Sequence, residues 1–264
     1  MVVKGVAVNF KSYEETIPKL LKLIKFDEEL KKHDKIVLKP SLIPNDRESS
    51  TSSEFTEQIL KFSMENKNPG TEIFIAEGCD GQKTTELFDE YGYTSLAEKY
   101  AIGLIDLNNT ETEEIENSEF LRFDAIIYPK ILLDSFVISL PKLNTSEEFG
   151  ITGALDNMLG AYPARYYKGF FSSTKNKLNK HPKKYQIHDI LKCKMPNFTL
   201  IDASEKSTLL AGQALEMDKQ ASKLLGIDWR TLPHLKLIDE SFSETKKVEK
   251  EVDELMGNMN IEEK

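Results

Sequence analysis

Residues 35–76, KIVLKPSLIPNDRESSTSSEFTEQILKFSMENKNPGTEIFIA, decide the fold of this chain. The stretch begins with one apolar run, Lys35 to Lys39, and ends with another, Glu72 to Ala76, and both have the length and β-branched content of buried strands. A capping-box pattern, Thr51 to Glu54, opens the segment between them. Four apolar side chains then recur at helical spacing: Phe55, Ile59, Leu60 and Phe62. The stretch therefore predicts a strand, a helix and a second strand.

The same alternation continues on both sides of this stretch. Val2 to Val8 predicts a first strand, and the spacing within Ser12 to Glu15 predicts the capped start of the next helix. Further apolar runs predict strands later in the chain: Gly103 to Leu107, Phe123 to Tyr128, Phe136 to Leu140, Phe198 to Asp202 and Leu235 to Ile238. Short apolar strands that alternate with amphipathic helices indicate an α/β fold, a mostly parallel sheet with helices on both faces.

The domain organisation follows from where this pattern stops. We expect a single compact domain over residues 1–243, because strands and helices alternate across most of that length. From Glu244 onward lysine and glutamate dominate, which predicts a charged C-terminal tail over residues 244–264. The acidic stretch Asp106 to Glu119 predicts a solvated loop or an edge hairpin.

The composition is that of an ordinary soluble protein. The 264 residues are 39% hydrophobic and 30% charged, and the net charge of -9 argues against general affinity for nucleic acid. No apolar run reaches the roughly 18 residues of a membrane span, and the N-terminal run is too short for a secretory signal. We therefore expect a cytoplasmic protein without a membrane partner. Cys79 and Cys193 are the only cysteines, which excludes a disulfide framework or a four-cysteine cluster within one chain.

Five segments are distinctive in their order and separation. They are Lys39 to Leu42, Leu140 to Thr145, Gly150 to Gly160, Leu200 to Asp202 and Asp218 to Gly226. Together they resemble the domain of unknown function 362 family over roughly residues 35–242. The resemblance implies a fold and the position of a site rather than an established reaction.

Three polar positions depart from that family's pattern. Asn144 and Ser146 stand on either side of Thr145 where relatives usually have Lys-Thr-His, and Asp156 stands where they have lysine. The ferredoxin-like cysteine cluster of many relatives has no counterpart in this sequence. The resemblance therefore indicates where a site lies more firmly than what it binds.

Polar residues after predicted strands are the first site candidates, because ligands of an open parallel sheet bind beyond the carboxyl ends of its strands. They are Lys39, Ser41, Glu77, Asp80, Lys142, Asn144, Thr145 and Asp202. Lys39 precedes Pro40, which keeps the backbone extended and favours an ammonium at the strand end. We predict Lys39 and Lys142 as catalytic residues that supply positive charge in a shared crevice. A solvated lysine beside a turn-forming proline is the alternative for Lys39.

The stretch Gly150 to Gly153 precedes a short helical run, and free N–H groups at such a start suit phosphate or carboxylate. It has neither the ending of a Walker loop nor the three-glycine dinucleotide fingerprint. We predict that the residues binding a small anion are Ser41, Asn144, Thr145, Thr152, Gly153, Asn157 and Asp202. Helix capping is the alternative role for Asn157.

Two further chemistries are open at this stage. Glu77 and Asp80 lie in a glycine-rich turn and offer hard oxygen ligands to a divalent cation, although acidic glycine-rich loops are more often plain turns. His181 is at a position where the resemblance implies a histidine, and we predict it as a catalytic proton carrier or a metal ligand.

The segment from Tyr166 to Lys194 is basic in an otherwise acidic chain. It contains eight lysines, interleaved aromatic residues and a single acid, Asp189. Such a segment suits a flap over the crevice, or a surface for a nucleotide or single-stranded nucleic acid.

The leading hypothesis is a protein, catalytic or not, that holds a small anionic substrate or cofactor at the carboxyl edge of the sheet. The alternatives are a non-catalytic nucleotide or nucleic-acid binding protein that uses the basic segment, and a metal-dependent or redox-associated protein. The sequence identifies neither a cofactor nor an oligomeric state.

Overall fold

The structure, a computed structural model, describes residues 4–242 of the chain. Its strands are β1 (Gly5–Asn9), β2 (Lys35–Pro40), β3 (Glu72–Glu77), β4 (Gly103–Asp106), β5 (Thr112–Glu116), β6 (Ala125–Pro129), β7 (Phe136–Leu140), β8 (Asn144–Ser146), β9 (Gly150–Thr152), β10 (Phe198–Ala203) and β11 (Thr208–Gly212). Its α-helices are α1 (Tyr13–Leu23), α2 (Phe26–Leu30), α3 (Ser53–Asn66), α4 (Thr84–Glu90), α5 (Tyr93–Tyr100), α6 (Lys130–Leu133), α7 (Ala164–Tyr167), α8 (Lys183–Cys193) and α9 (Ala214–Leu224). Residues 233–242 are also helical.

Seven of these strands form one sheet in the order β1-β11-β10-β7-β2-β3-β4. Strands β10, β7, β2, β3 and β4 are parallel, while β11 runs antiparallel to both of its neighbours, β1 and β10. The predicted mostly parallel sheet is confirmed. The pairs β5–β6 and β8–β9 form two separate antiparallel ribbons.

Helices cover both faces of the sheet because its central strands are apolar on both faces. In β2, Ile36 and Leu38 pack into a core with α1 to α5, whereas Val37 packs into a core on the other face with α8 and α9. Adjacent residues of a strand point to opposite faces, so a continuous apolar run fills two cores. The described residues form a single compact domain, as the alternating pattern predicted.

The start of α3 differs from the sequence prediction by one residue. Ser52, not Thr51, is the N-cap, and its Oγ accepts a hydrogen bond from Phe55 N at 3.1 Å. Thr51 is buried instead, where its Oγ1 donates to Leu140 O at 2.5 Å and accepts from Ser41 N at 3.0 Å. Thr51 thus connects the ends of β2 and β7. The predicted cap of α1 is confirmed, since Ser12 Oγ accepts from Glu15 N at 3.2 Å.

The predicted strand from Leu235 to Ile238 is wrong, because these residues are helical. Leu232, Leu235 and Ile238 are all buried in the second core, and their spacing of three places them on one helical face. A run of four residues was too short to separate helical from strand spacing. The predicted edge hairpin near Asp106 to Glu119 is present as the β5–β6 ribbon.

The predicted charged tail, residues 244–264, lies outside the described residues. Within the described range, no helix combines the length and the apolar character needed to cross a membrane.

Candidate functional site

Two strand ends bring a lysine and a glutamate together inside the protein. Lys39 is near the end of β2 and Glu77 ends β3, the neighbouring parallel strand. Lys39 Nζ lies 2.7 Å from Glu77 Oε2, and the two side chains are 0% and 5% exposed. A buried charge is tolerated when it is paired and hydrogen-bonded, which is the situation of both groups here.

Asn157 completes the surroundings of this ion pair. Its Oδ1 accepts from Lys39 Nζ at 3.0 Å, and its Nδ2 donates to Lys39 O and to Ser139 Oγ, each at 3.0 Å. Asn157 belongs to a 3₁₀ helix, Asp156–Ala161, which packs over the ends of β2 and β7. The predicted residues Lys39, Glu77 and Asn157 therefore form one network.

Glycine allows the 3₁₀ helix to pass close over the ion pair, where any side chain would displace Lys39 and Glu77. A Cβ on Gly160 would lie 2.5 Å from Glu77 Oε1 and 2.8 Å from Lys39 Nζ, closer than a side chain can approach. A Cβ on Gly78 would collide with the backbone oxygen of Gly160. This close packing accounts for the glycine that ends the distinctive Gly150 to Gly160 segment.

Lys175 is a second buried lysine beside this network. Its Nζ donates to Gly78 O at 2.7 Å and to Gly160 O at 3.4 Å, and its backbone N donates to Asp80 Oδ1 at 2.7 Å. Burial lowers the pKa of Lys175 to about 8, although the nearby Glu77 and Asp80 carboxylates act against the shift. Sequence reasoning missed this residue, because nothing distinguished it from the other lysines of the basic segment.

A cleft of about 380 Å³ lies at the carboxyl edge of the sheet, and its wall includes Glu77, Asn157 and Lys175 but not Lys39. Five of the predicted residues contribute to its wall: Ser41, Glu77, Asp80, Thr152 and Asn157. Residues that were not predicted as site residues also contribute: Ser146, Glu148, Asp156, Lys175, Lys183 and Gln186. The volume is in the range of small-molecule sites.

Two carboxylates hold the loop that follows β9. Asp156 Oδ1 accepts from Gly153 N at 2.5 Å, and Asp218 accepts from Ala154 N at 2.7 Å and from Leu155 N at 3.0 Å. The N–H groups that were predicted to receive an anion are thus already bonded to the protein's own carboxylates. Burial raises the pKa of Asp218 to about 7. Burial, together with the charge of Asp218, raises the pKa of Asp156 well above its ordinary value.

Lys142, Asn144, Thr145 and Asp202 lie near the same edge but outside the wall of the cleft. Lys142 Nζ is 2.7 Å from Glu205 Oε1. Asp202 accepts a hydrogen bond from Tyr13 Oη at 2.7 Å, and Asn144 Nδ2 donates to Ser49 O at 3.2 Å. Thr145 is exposed on the β8–β9 ribbon. These side chains are therefore not brought together with Lys39, and their predicted roles stay predictions.

His181 also lies away from the cleft wall. Its ring packs against Phe123 with centroids 4.7 Å apart. Partial burial, with Lys180 and Arg122 nearby, lowers the pKa of His181, which favours the neutral ring. The His181 ring forms no hydrogen bond with Lys39 or Lys175, so its role as proton carrier stays a prediction.

Glu77 and Asp80 both face the cleft, but each already has a partner in the protein. Glu77 pairs with Lys39, and Asp80 accepts from the backbone of Lys175. Within residues 4–242, no three His, Cys, Asp or Glu side chains are grouped so that they could hold a metal ion. The metal hypothesis for this pair stays a prediction.

Both the sequence and the fold of this chain resemble known proteins. The family model described as Domain of unknown function (DUF362) matches residues 36–212. A search of curated proteins gave no match. Among solved structures, the lactate racemase apoprotein from Thermoanaerobacterium thermosaccharolyticum has a similar fold, with a TM-score of 0.58 at 14% sequence identity. The alignment covers 84% of this chain and 57% of that one, so the chain spans little more than half of its neighbour's length.

Proposed function

The chain belongs to the DUF362 family, and from that premise and the geometry of the cleft we propose that it binds a small carboxylate there. The charge partner of the ligand is Lys175. Lys39, Glu77 and Asn157 form the rigid base of the site, and they hold the 3₁₀ helix that bounds it.

The observation that carries this proposal is the incomplete pairing of Lys175. The residue is only 4% exposed, and the acceptors of its Nζ are two backbone carbonyls. No carboxylate among residues 4–242 forms an ion pair with that Nζ. A buried ammonium without an ion-pair partner is costly, and burial lowers its pKa even though Glu77 and Asp80 lie nearby. An anion that enters the cleft supplies the missing counter-charge.

The other charges of the cleft favour a monoanion over a phosphate dianion. Lys39 is neutralised by Glu77, and Lys183 has Glu148 at 3.8 Å. Asp156 has a raised pKa and is held towards its neutral form. Asp80 also faces the cleft, but it accepts from the backbone N of Lys175 and forms no ion pair with the Nζ. The Lys175 ammonium is thus the cation of the cleft wall that lacks an ion-pair partner among the described residues, and one such cation suits one carboxylate.

Proton transfer is the chemistry that the cleft is best equipped to perform. Lys175 has a pKa lowered to about 8, and Asp156 has a raised pKa, so burial brings both groups closer to neutrality. Groups whose pKa values are shifted towards 7 can exchange protons with a bound substrate near that pH. The named substrate of the structural neighbour, lactate, is itself a small carboxylate, in keeping with this proposal.

Titration calorimetry with propionate and with inorganic phosphate tests the proposal. We expect wild-type protein to bind propionate in preference to phosphate, and Lys175→Gln to weaken propionate binding at least about tenfold, since a charge-assisted hydrogen bond is lost. Lys180→Gln is the matched control, because Lys180 is exposed on the same basic segment. Equal affinities in the two variants would contradict the proposal, as would absence of binding to wild-type protein.

A second candidate function is the binding of single-stranded nucleic acid by the basic segment. Phe170 and Phe171 are 95% and 98% exposed, and their rings are 4.9 Å apart. Lys168 and Arg165 line a neighbouring cleft of about 450 Å³. Exposed aromatic rings among cations are the usual means of stacking bases beside a phosphate backbone.

Fluorescence anisotropy with a labelled single-stranded oligonucleotide tests this second candidate. We expect affinity to fall steeply as salt rises, because the basic side chains displace cations condensed on the phosphates and added salt opposes that displacement. Phe171→Ala should weaken binding further at every salt concentration. Salt-independent binding, or none at low salt, rejects this function.

A further inference from the structure

Gln186 is a polar residue of the cleft wall, and the proposed binding of a carboxylate to Lys175 does not involve it. It lies on α8, is fully buried and lines the cleft. Its backbone oxygen accepts a hydrogen bond from Tyr162 Oη at 2.9 Å, which fixes this part of α8 against the residue that follows the 3₁₀ helix.

Two carbonyl groups set the orientation of the Gln186 amide. Its Nε2 donates to Leu178 O at 2.9 Å and to His181 O at 2.7 Å. A carbonyl oxygen accepts hydrogen bonds and donates none, so the nitrogen end of the amide has to face these two groups. Oε1 is consequently held at the opposite end, and the amide cannot turn over without losing both bonds.

Oε1 of Gln186 is a buried acceptor without a donor among the described residues. Buried polar atoms in folded proteins nearly always have a partner, so such an exception calls for one. Gln186 and Lys175 are connected through a single turn, because Leu178 N donates to Lys175 O at 3.0 Å while Leu178 O accepts from Gln186. Gln186, whose Oε1 has no donor, and Lys175, whose ammonium has no ion-pair partner within residues 4–242, therefore belong to the same wall of the cleft.

Building on the proposed function, we propose that the ligand is a small hydroxycarboxylate, whose carboxylate pairs with Lys175 and whose hydroxyl donates to Gln186 Oε1. A hydroxyl suits this place better than an ammonium. A ligand ammonium would place a second positive charge beside the Lys175 ammonium, which has no ion-pair partner of its own in the described part of the chain. A hydroxyl supplies the donor without a charge.

Competition among four related acids tests this inference on the wild-type protein. Titration calorimetry compares propionate, lactate, 2-methoxypropionate and alanine, which share a three-carbon carboxylate skeleton and differ at the second carbon. We expect lactate to bind about tenfold more tightly than propionate, because its hydroxyl satisfies a buried acceptor. 2-Methoxypropionate keeps the oxygen but cannot donate, so it should bind no better than propionate.

A pair of variants assigns the preference to Gln186. Gln186→Met should reduce the ratio of lactate to propionate affinity to about one while leaving propionate binding in place. Gln58→Met is the control, because Gln58 is a buried glutamine on α3 outside the cleft wall, and it should keep the wild-type ratio. Thermal unfolding of both variants shows whether each is folded, and the comparison of ligands on wild-type protein does not depend on that result.

The outcomes separate the inference from the proposed function. If wild-type protein binds propionate and lactate equally, or prefers alanine, the hydroxycarboxylate inference is overturned while carboxylate binding stands. If none of the four acids binds, the proposed function itself is overturned. A lactate preference that survives in Gln186→Met also overturns the assignment to Gln186.

Discussion

At the scale of single residues, the Lys39–Glu77 ion pair couples fold and site. Both side chains are buried, and Asn157 bonds to the Lys39 ammonium and to the Lys39 carbonyl. The strand ends, the 3₁₀ helix and the floor of the cleft therefore depend on the same few hydrogen bonds. A buried ion pair of this kind often adds little net stability, because the cost of taking two charges out of water offsets their attraction.

Replacing one partner of this pair should lower the free energy of unfolding more than replacing both partners. We expect Lys39→Met to lower the free energy of unfolding by about 3–5 kcal/mol, because Glu77 is left as a buried and unpaired charge. The double variant Lys39→Met with Glu77→Gln should regain part of that loss. Urea unfolding of the two single variants and the double variant measures the coupling. Additive losses would show that the two side chains do not interact in solution.

Asp218 should impose a pH dependence on stability. Its pKa in the folded protein is raised to about 7 by burial, so between about pH 4 and 7 the folded chain holds a proton that the unfolded chain has released. The stability from this group is therefore greatest below about pH 4, falls as the pH rises to about 7, and is constant above it.

Thermal unfolding of wild-type protein and Asp218→Asn across this pH range checks the prediction. The variant loses one acceptor for the N–H groups of Ala154 and Leu155, which lowers its melting temperature by an amount that does not vary with pH. Its melting temperature should then fall less between pH 4 and 7 than that of the wild type. Parallel curves for the two proteins would mean that Asp218 is already ionised at pH 4.

At the scale of secondary-structure elements, Asp189 joins α8 to the loop before β6. Its carboxylate accepts from the backbone N of Leu121, Arg122 and Phe123 at 2.9, 2.8 and 3.2 Å, and His188 Nδ1 lies 2.7 Å away. Burial acts to raise the pKa of Asp189, but these hydrogen bonds outweigh it and lower the pKa. The Asp189 side chain thus holds residues 121–123, the loop that leads into β6, against α8.

Asp189→Ala should destabilise the protein by about 3–5 kcal/mol, because three backbone N–H groups lose their acceptor. Amide hydrogen exchange should show the loss of protection first at residues 121–123. Glu90→Ala, at an exposed position on α4, is the control and should change stability by less than about 0.5 kcal/mol. Unchanged protection of that loop in Asp189→Ala would contradict the capping role.

Most elements could be predicted from the sequence, because strand and helix spacing are distinct over long segments. The parallel strands and their covering helices follow from apolar runs such as Lys35 to Lys39 and Glu72 to Ala76. The short run Leu235 to Ile238 was predicted wrongly, since four residues fit both spacings. The cap of α3 was misplaced because two hydroxyl residues, Thr51 and Ser52, compete for it.

The candidate site was predictable where it lies on or just after strands and in the distinctive Gly150 to Gly160 segment. Lys39 and Glu77 were found because the carboxyl ends of parallel strands meet at one edge. Lys175 and Gln186 were missed because an irregular segment brings them to that edge, and local spacing does not encode where such a segment packs. Asp156 stands where relatives have lysine, and the structure shows that its carboxylate accepts a hydrogen bond from Gly153 N.

At the scale of the whole molecule, this chain shares its fold with part of a larger protein, but the site has to be assigned from the residues of this chain. The chain aligns over 84% of its length with 57% of the lactate racemase apoprotein, at 14% identity. Similarity at that level establishes the arrangement of strands and helices and leaves the chemistry open. The function proposed for this chain therefore depends on the cleft and on Lys175.

Proton uptake on ligand binding tests the central claim most directly. Burial lowers the pKa of Lys175 to about 8, so part of the unliganded molecules lack the proton at pH 8, and a bound carboxylate should raise the protonated fraction towards one. Calorimetric titration of propionate at pH 8, in two buffers that differ in ionisation enthalpy, measures the uptake. The account predicts that wild-type protein takes up a fraction of a proton per propionate and that Lys175→Gln takes up none. Propionate binding without proton uptake by the wild type, or with equal uptake by the variant, would contradict it.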